Sequence, residues 1–319
     1  MLRNVASALF YARFFQAFSV KGFDRRVGAP AEDEFDFNNQ RWLVTGASGG
    51  LGQAVALKAV ASGAEVLAVA RSQPKLDALA GQARGPGRLE TLACDLSVMA
   101  DTQALAAHPI VQKAPIDALI NNVGVLLNDY ELSDEGVESS LATNLLGHFV
   151  LTEALLARKA LAAGAAVVEV SSGGMYGAAL NLDKLTATSK ARWDGMAAYA
   201  LHKRCQVELV RAWNARWSQG RTAYAMHPGW VDTEGVKTSL PAFRATLRRF
   251  LRTPDQGADT ILWLVDQRPA VESTGGIWLD RHLDEEHAFG LTRRSRWTAD
   301  DLYARLAQTA DGLATTSGA

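Results

Sequence analysis

The chain has 319 residues, 48% of them hydrophobic and 21% charged, with a formal net charge of −1. That suffices for one large α/β domain with a full core, or for two small ones. The near-zero charge, with arginines and acids mixed along the chain, argues against a nucleic-acid partner or a general attraction to acidic membranes, and two cysteines and six histidines without ligand spacing offer no metal site.

At the N-terminus, Leu2, Val5, Ala6, Leu9, Phe10, Phe14, Ala17 and Phe18 recur at helical spacing. Arg13 interrupts the apolar run, so a bilayer span is too short to form. No small-residue cleavage site closes it as a signal peptide. The chain therefore reads as cytoplasmic. Two readings of the helix stand: packing on the main body, or peripheral contact with a membrane interface through residues 1–26. With the polar, acidic connector over 28–40, the helix forms a segment 1–39 ahead of the main domain.

From residue 40 the chain alternates strand and helix patterns. Strand runs fall at 42–45, 65–70, 89–94, 118–121, 166–171, 222–226 and 276–279, separated by helical runs that include 53–61, 138–160, 194–219 and 256–266. The run Glu65-Val66-Leu67-Ala68-Val69-Ala70 is apolar nearly throughout, as a strand covered on both faces should be. Such alternation with right-handed crossovers predicts an α/β fold, a doubly wound parallel sheet with helices on both faces. No proline-rich linker divides it, so residues 40–285 read as one domain. A C-terminal helix and tail follow over 286–319, and the Ala/Ser/Thr/Gly end after Asp311 is expected to fray.

The most informative stretch is Val44-Thr45-Gly46-Ala47-Ser48-Gly49-Gly50-Leu51-Gly52. It joins the first strand to a helix, the order a dinucleotide site needs. Gly46 allows the tight turn, Gly50 lets backbone N–H groups approach a pyrophosphate, and Gly52 lets helix and strand pack closely. The helix N-terminus then faces the phosphates. At the end of the second strand, a carboxylate would bind the ribose 2′-hydroxyl of NAD. Here Ala70 holds that position and Arg71 follows, which suits a 2′-phosphate. NADP(H) is therefore expected over NAD(H). Asp95, directly after the third strand, can accept from the adenine amino group, cap a helix, or do both.

Tyr199 and Lys203 are four apart in a helical pattern, so they share a face one turn apart. An ammonium beside a phenol favours the phenolate, which would let Tyr199 exchange a proton near neutral pH. Ser172 lies just past the apolar strand Ala166-Val167-Val168-Glu169-Val170, where open α/β sheets hold their ligands. Its hydroxyl could bond a substrate oxygen as charge develops, or serve only a turn. Asn144 sits inside a helical pattern it does not favour, which suggests a local role.

In order along the chain, Thr45 to Gly52, Asp95, Asn121-Asn122-Val123-Gly124, Asn144, Ser172, Tyr199 with Lys203, and His227-Pro228-Gly229-Trp230-Val231-Asp232-Thr233 resemble the short-chain dehydrogenase/reductase family over about residues 40–280. Ser171 to Met175, Met226 to Trp230, Gln256 to Thr260 and Asp280-Arg281 resemble one subgroup of it more closely. The resemblance implies a seven-stranded Rossmann sheet and a catalytic Asn144–Ser172–Tyr199–Lys203 tetrad. It implies cofactor contacts at Gly46, Ser48, Gly50, Leu51, Gly52, Arg71, Asp95, Leu96, Asn122, Gly124, Tyr199, Lys203, Pro228, Gly229 and Thr233. By the same resemblance, Tyr199 passes the proton, Lys203 stabilises the phenolate and holds the nicotinamide ribose, and Asn144 positions a water.

Val123 departs from the family's usual alanine without removing a polar group, and His202 stands where serine is common. The long stretch between Ser172 and Tyr199, with Lys184, Lys190, Arg192 and Trp193, is expected to form one substrate wall and to act as a lid. Residues 230–251 are expected to form the other, where Val236, Leu240, Phe243 and Leu247 suit a hydrophobic carbonyl or alcohol as readily as core packing. Arg244, Arg248, Arg249 and Arg252 read as a solvated face or an anion contact. Trp213 and Trp217 read as core or as the interface of a homodimer. Trp263 and Trp278 read as core. The expected function is reversible, NADP(H)-dependent hydride transfer on a small-molecule carbonyl or alcohol. The alternative is an NADP(H)-binding redox sensor or scaffold without turnover.

Overall fold

The computed structural model describes residues 13–29, 34–185, 190–271 and 276–316. Leu2 to Phe10 of the expected N-terminal helix lie outside them. Among the described residues, eight strands form one sheet: β1 Arg41–Thr45, β2 Glu65–Ala70, β3 Arg88–Ala93, β4 Ile116–Asn121, β5 Leu161–Val170, β6 Thr222–Met226, β7 Ile277–Leu279 and β8 His282–Asp284. Their order is β3-β2-β1-β4-β5-β6-β7-β8, all parallel except the last pair. The chain reverses direction across the sheet between β1 and β4, and the crevice there is where such sheets take ligands.

Period-two alternation builds two cores. Leu43, Leu67 and Val69 face one side, while Trp42, Val44, Val66, Ala68 and Ala70 face the other. Helices α2 Gly50–Ala61 and α7 Pro254–Gln267 cover one face. Helices α4 Met99–Ala107, α5 Gly147–Ala157 and α6 Gly195–Arg216 cover the other. Ahead of them lies the short α1 Val20–Arg26, and α3 Gln73–Ala80 follows β2. Both ends of α7 are well defined: Thr253 and Gln256 form a reciprocal capping box at its start, and Arg268 turns left-handed at its end.

The structure bears on three expectations. The sheet has eight strands rather than seven: Leu279 pairs with His282 across a two-residue turn. Asp280 and Arg281 both adopt positive φ there, as a tight hairpin demands, without the usual Asn-Gly signal. The chain is still helical past Asp311, where a frayed tail was expected: α8 spans Ala299–Thr316. Of the two readings of Trp213 and Trp217, core packing holds. Trp213 is fully buried, stacks on Trp217 at 5.4 Å and donates 2.8 Å to Glu153. The chain's own α8 covers that face: Leu302 and Leu306 are buried, Tyr303 donates to Glu153 at 3.0 Å, and Asp300 bonds Arg216 at 2.8 Å.

Residues 13–18 are helical and pack on the body. Phe18 and Phe23 are each 1% exposed, so these side chains are spent on the protein interior. Trp278 is buried and Trp263 packs beside it, ring centroids 5.4 Å apart.

Candidate active site

The carboxyl ends of β1, β4, β5 and β6 gather the singled-out residues. At β1, Gly46 has φ +66, and a Cβ there would sit 2.9 Å from the Asn122 amide nitrogen. A Cβ on Gly52 would run into Gly46 O, so only glycine lets the helix start this close to the turn. Asn122 holds the turn from β4, donating 2.9 Å to Thr45 O. Thr233 lies against Gly50 from the β6 side and caps the short helix Glu234–Ser239. Leu51 and Leu96 are buried, Ser48 is half-buried, and among the described residues nothing lies within 4 Å of where a Cβ on Gly49 would be. The result is a backbone-lined cradle at a helix N-terminus, suited to a pyrophosphate.

Arg71 is largely exposed at the end of β2 and lies 3.7 Å from Asp95. Asp95 accepts 2.9 Å from Ser97 N and 2.7 Å from Ser97 Oγ. It does not cap the next helix. Glu135 does, accepting from Met99 N and Ala100 N at 2.7 and 3.1 Å.

Asn144 lies in a π-helical turn, Ala142–Leu146. Its amide grips one peptide of the loop after β4: Oδ1 accepts 2.7 Å from Val125 N and Nδ2 donates 2.8 Å to Val125 O. The irregular helix and the poor helix former thus share one cause. A Cβ on Gly124 would fall 3.3 Å from Lys203 Nζ and 3.4 Å from Asn144 Oδ1, so this glycine separates the two.

Tyr199 and Lys203 sit in the first half of α6, whose start Asp194 caps by accepting 2.9 Å from Ala197 N. Lys203 Nζ donates 2.8 Å to Val170 O at the end of β5 and lies 5.7 Å from the Tyr199 ring centroid. Ser171 Oγ donates 2.8 Å to Lys203 O, a second tie between strand and helix. The Ser172 hydroxyl lies beside the Tyr199 phenol and favours its charged form.

The net shift of Tyr199 runs opposite to the expected direction. Burial pushes the Tyr199 phenol above its ordinary value, with the neighbouring Ser172 hydroxyl opposing. The Lys203 ammonium donates to Val170 O, and burial pushes it down to about 8 against the opposing charge of Glu169.

Behind the four residues lies a network that the sequence reading missed. Glu169, fully buried in β5, accepts 2.7 Å from Asn121 Nδ2 and pairs with His148 Nδ1 at 2.8 Å. His148 Nε2 bonds Val123 O at 2.9 Å. Gln206 donates 2.8 Å to Asn144 O. A buried carboxylate is costly unless paired in this way. The available signal was one acid inside the otherwise apolar run Ala166 to Val170.

The expected basic face is divided. Arg244 makes a two-pronged pair with Asp232 at 2.6 and 3.0 Å. Arg252 is 1% exposed and binds Asp280 at 2.5 and 2.9 Å. It also donates 3.2 Å to Pro228 O, and a Cβ on Gly229 would run into its guanidinium. Arg248 and Arg249 remain exposed. In the expected walls, Phe243 and Leu247 pack against the core, while Lys184, Lys190 and Arg192 are exposed. His202 is buried with its Nδ1 unpartnered among the described residues, and burial lowers it to about 3, so it is neutral.

The model of the short chain dehydrogenase family matches residues 40–242. The chain belongs to that family. It is 32% identical over 300 residues to dehydrogenase/reductase SDR family member 12 of Bos taurus, covering 92% of this chain and 94% of that one. It is 29% identical over 268 residues to retinol dehydrogenase 14 of Homo sapiens, covering 76% and 79%. Among solved structures, a Mycobacterium paratuberculosis protein superposes with a TM-score of 0.65 at 28% identity, covering 88% of this chain and 94% of that one. Family membership makes this protein an oxidoreductase with a Rossmann-like nucleotide-binding fold.

Proposed function

We propose that this protein reversibly transfers hydride between NADP(H) and the carbonyl or alcohol of a hydrophobic small molecule, with Tyr199 as general acid and base. The observation that carries the reading is the meeting of Ser172, Tyr199, Lys203 and Asn144 beside the Gly46–Gly52 cradle. The cradle fits a dinucleotide because side chains at Gly46 and Gly52 would fill it. A bound nicotinamide would supply the hydride. The chain's residues do the rest. Ser172 and Tyr199 hold the substrate oxygen between two hydroxyls, which stabilises charge developing there. Tyr199 donates its proton to that oxygen. Lys203 stands near to stabilise the phenolate left behind and to hold the nicotinamide ribose. Asn144, with its side chain spent on Val125, keeps Gly124 in place between itself and Lys203. A screen of aldehydes, ketones and hydrophobic alcohols, followed by absorbance of reduced cofactor, tests the reading; no turnover of any member with either cofactor would sink it.

The NADP(H) preference rests on Arg71, which stands exposed where Ala70 offers a ribose hydroxyl nothing. Arg71→Glu is expected to reverse the ratio of kcat/KM for NADPH over NADH. Losing one charge-assisted contact to a phosphate costs about 1.5–3 kcal/mol, roughly ten- to a hundred-fold against NADPH. Equal efficiency of the two cofactors in the unaltered protein would contradict the assignment.

With Phe18 and Phe23 buried, peripheral membrane contact would fall to the side chains of residues 1–12. Co-sedimentation with liposomes, comparing the full chain with one lacking those residues, checks it; equal partition of the two removes the membrane reading.

A further inference from the structure

We propose that Phe18 is a positioning residue for Ser172, so that an N-terminal segment outside the stretch matched by the family model is part of the active-site architecture. The inference rests on the functional reading above. It begins at Gly173, directly after Ser172. A Cβ there would lie 3.1 Å from Phe18 Cε2 and 3.3 Å from His227 Nε2, so the Phe18 ring backs the peptide that carries the hydroxyl. The ring is 1% exposed and stands edge-on to His227 at 4.4 Å, beside Tyr176 at 5.3 Å and Trp230 at 5.8 Å. It therefore touches both the loop after β5 and the loop after β6.

The backbone makes the same connection. Trp230 N donates 2.8 Å to Phe18 O. Arg252 donates 2.7 Å to Ala17 O and 3.3 Å to Ser19 O, fixing the peptides on either side. Phe14 stacks on Phe18 at 4.7 Å and Phe15 meets Phe250 at 4.8 Å, so the segment also spans both ends of the 230–250 arm. These neighbours are aromatic or paired, and His227, lowered to about 3 by burial, is neutral. The ring thus acts by shape. A hydroxyl that must meet a reacting oxygen tolerates little displacement, and about 1 Å of misplacement can cost roughly a hundredfold in rate.

The test combines Phe18→Ala, the milder Phe18→Leu, Gly173→Ala and the double variant Phe18→Leu with Gly173→Ala. Each Phe18 variant is expected to lower kcat, about tenfold or more for alanine, while the Kd for NADPH stays unchanged. Gly173→Ala alone should also lower kcat, because its methyl meets the ring. The double variant should recover part of that loss in kcat, since the smaller side chain yields the space; losses that merely add would count against the contact. A second readout needs no turnover. The neighbouring Ser172 hydroxyl opposes the upward push of burial on the Tyr199 phenol, so the Tyr199 resonance in a [13Cζ]tyrosine NMR titration should move to higher pH in Phe18→Leu, toward the Ser172→Ala limit. The charged neighbour on the same helix, Lys203, is common to all variants. Unchanged kcat and an unchanged Tyr199 titration in a folded Phe18→Leu protein would overturn the proposal. Failure of the substrate screen with a shifted titration would instead sink the functional reading and leave the positioning intact.

Discussion

Tyr199→Phe is expected to cut carbonyl reduction by about 10²–10⁴-fold, the usual contribution of a positioned general acid. The substitution removes one oxygen and leaves the ring, its contact with Lys203 and the α6 backbone in place, so NADPH should still bind. Single-turnover absorbance of NADPH separates the two quantities. A sensor without turnover would respond to cofactor equally well with phenylalanine, and undiminished turnover in Tyr199→Phe would remove this residue from the chemistry.

The same pair sets the pH dependence. A phenol held above its ordinary value keeps its proton at neutral pH, the form that reduction consumes. Lys203, pushed down to about 8, is charged below that value and loses its charge as pH rises through it. Its help to the phenolate is therefore present in acid and neutral solution and lost in alkali. For reduction, kcat/KM should be level below about pH 8 and fall above it. A rise across that range would show that the ammonium does not assist the phenolate.

The legible parts of this site are those encoded locally. Strand alternation, the glycine turn, and the four-residue step from Tyr199 to Lys203 depend on neighbours in sequence, so their geometry follows from period alone. Asn144 was legible for a related reason: a poor helix former within a helical pattern marked the π turn that frees its amide for Val125. Glu169 was read only as part of a strand, because its partners Asn121 and His148 arrive from two other elements. The burial of Trp213 depends on α8, far along the chain, and helical spacing cannot say what covers a face. The eighth strand is three residues long, below the length at which alternation speaks. The direction of the Tyr199 shift was misread because spacing along a helix says nothing of burial, which is what raises the phenol.

Arg252 shows how far a single side chain can act beyond its local pattern. It seemed one member of a basic run, yet it and Asp280 are 1% and 0% exposed, and its five donors reach Asp280, Pro228 O, Ala17 O and Ser19 O. It joins the N-terminal segment, the loop after β6 and the β7–β8 turn. Arg252→Met should destabilise the protein by about 3–5 kcal/mol, because it leaves Asp280 buried without its counter-charge. Burial already raises the Asp280 carboxyl, with Arg252 opposing, so without the arginine it should rise further and take up a proton more readily. The loss should therefore be partly relieved as pH falls, since the neutral acid is cheaper to bury. Urea unfolding at two pH values measures this. The double variant Arg252→Met with Asp280→Leu removes both charges and should recover much of the loss. What it cannot restore are the bonds to Ala17 O and Ser19 O, so protection of residues 13–26 against hydrogen exchange should stay low even where global stability returns. If that protection returned with stability, the arginine would be an ordinary core pair and not the tie that holds the N-terminal segment against the site.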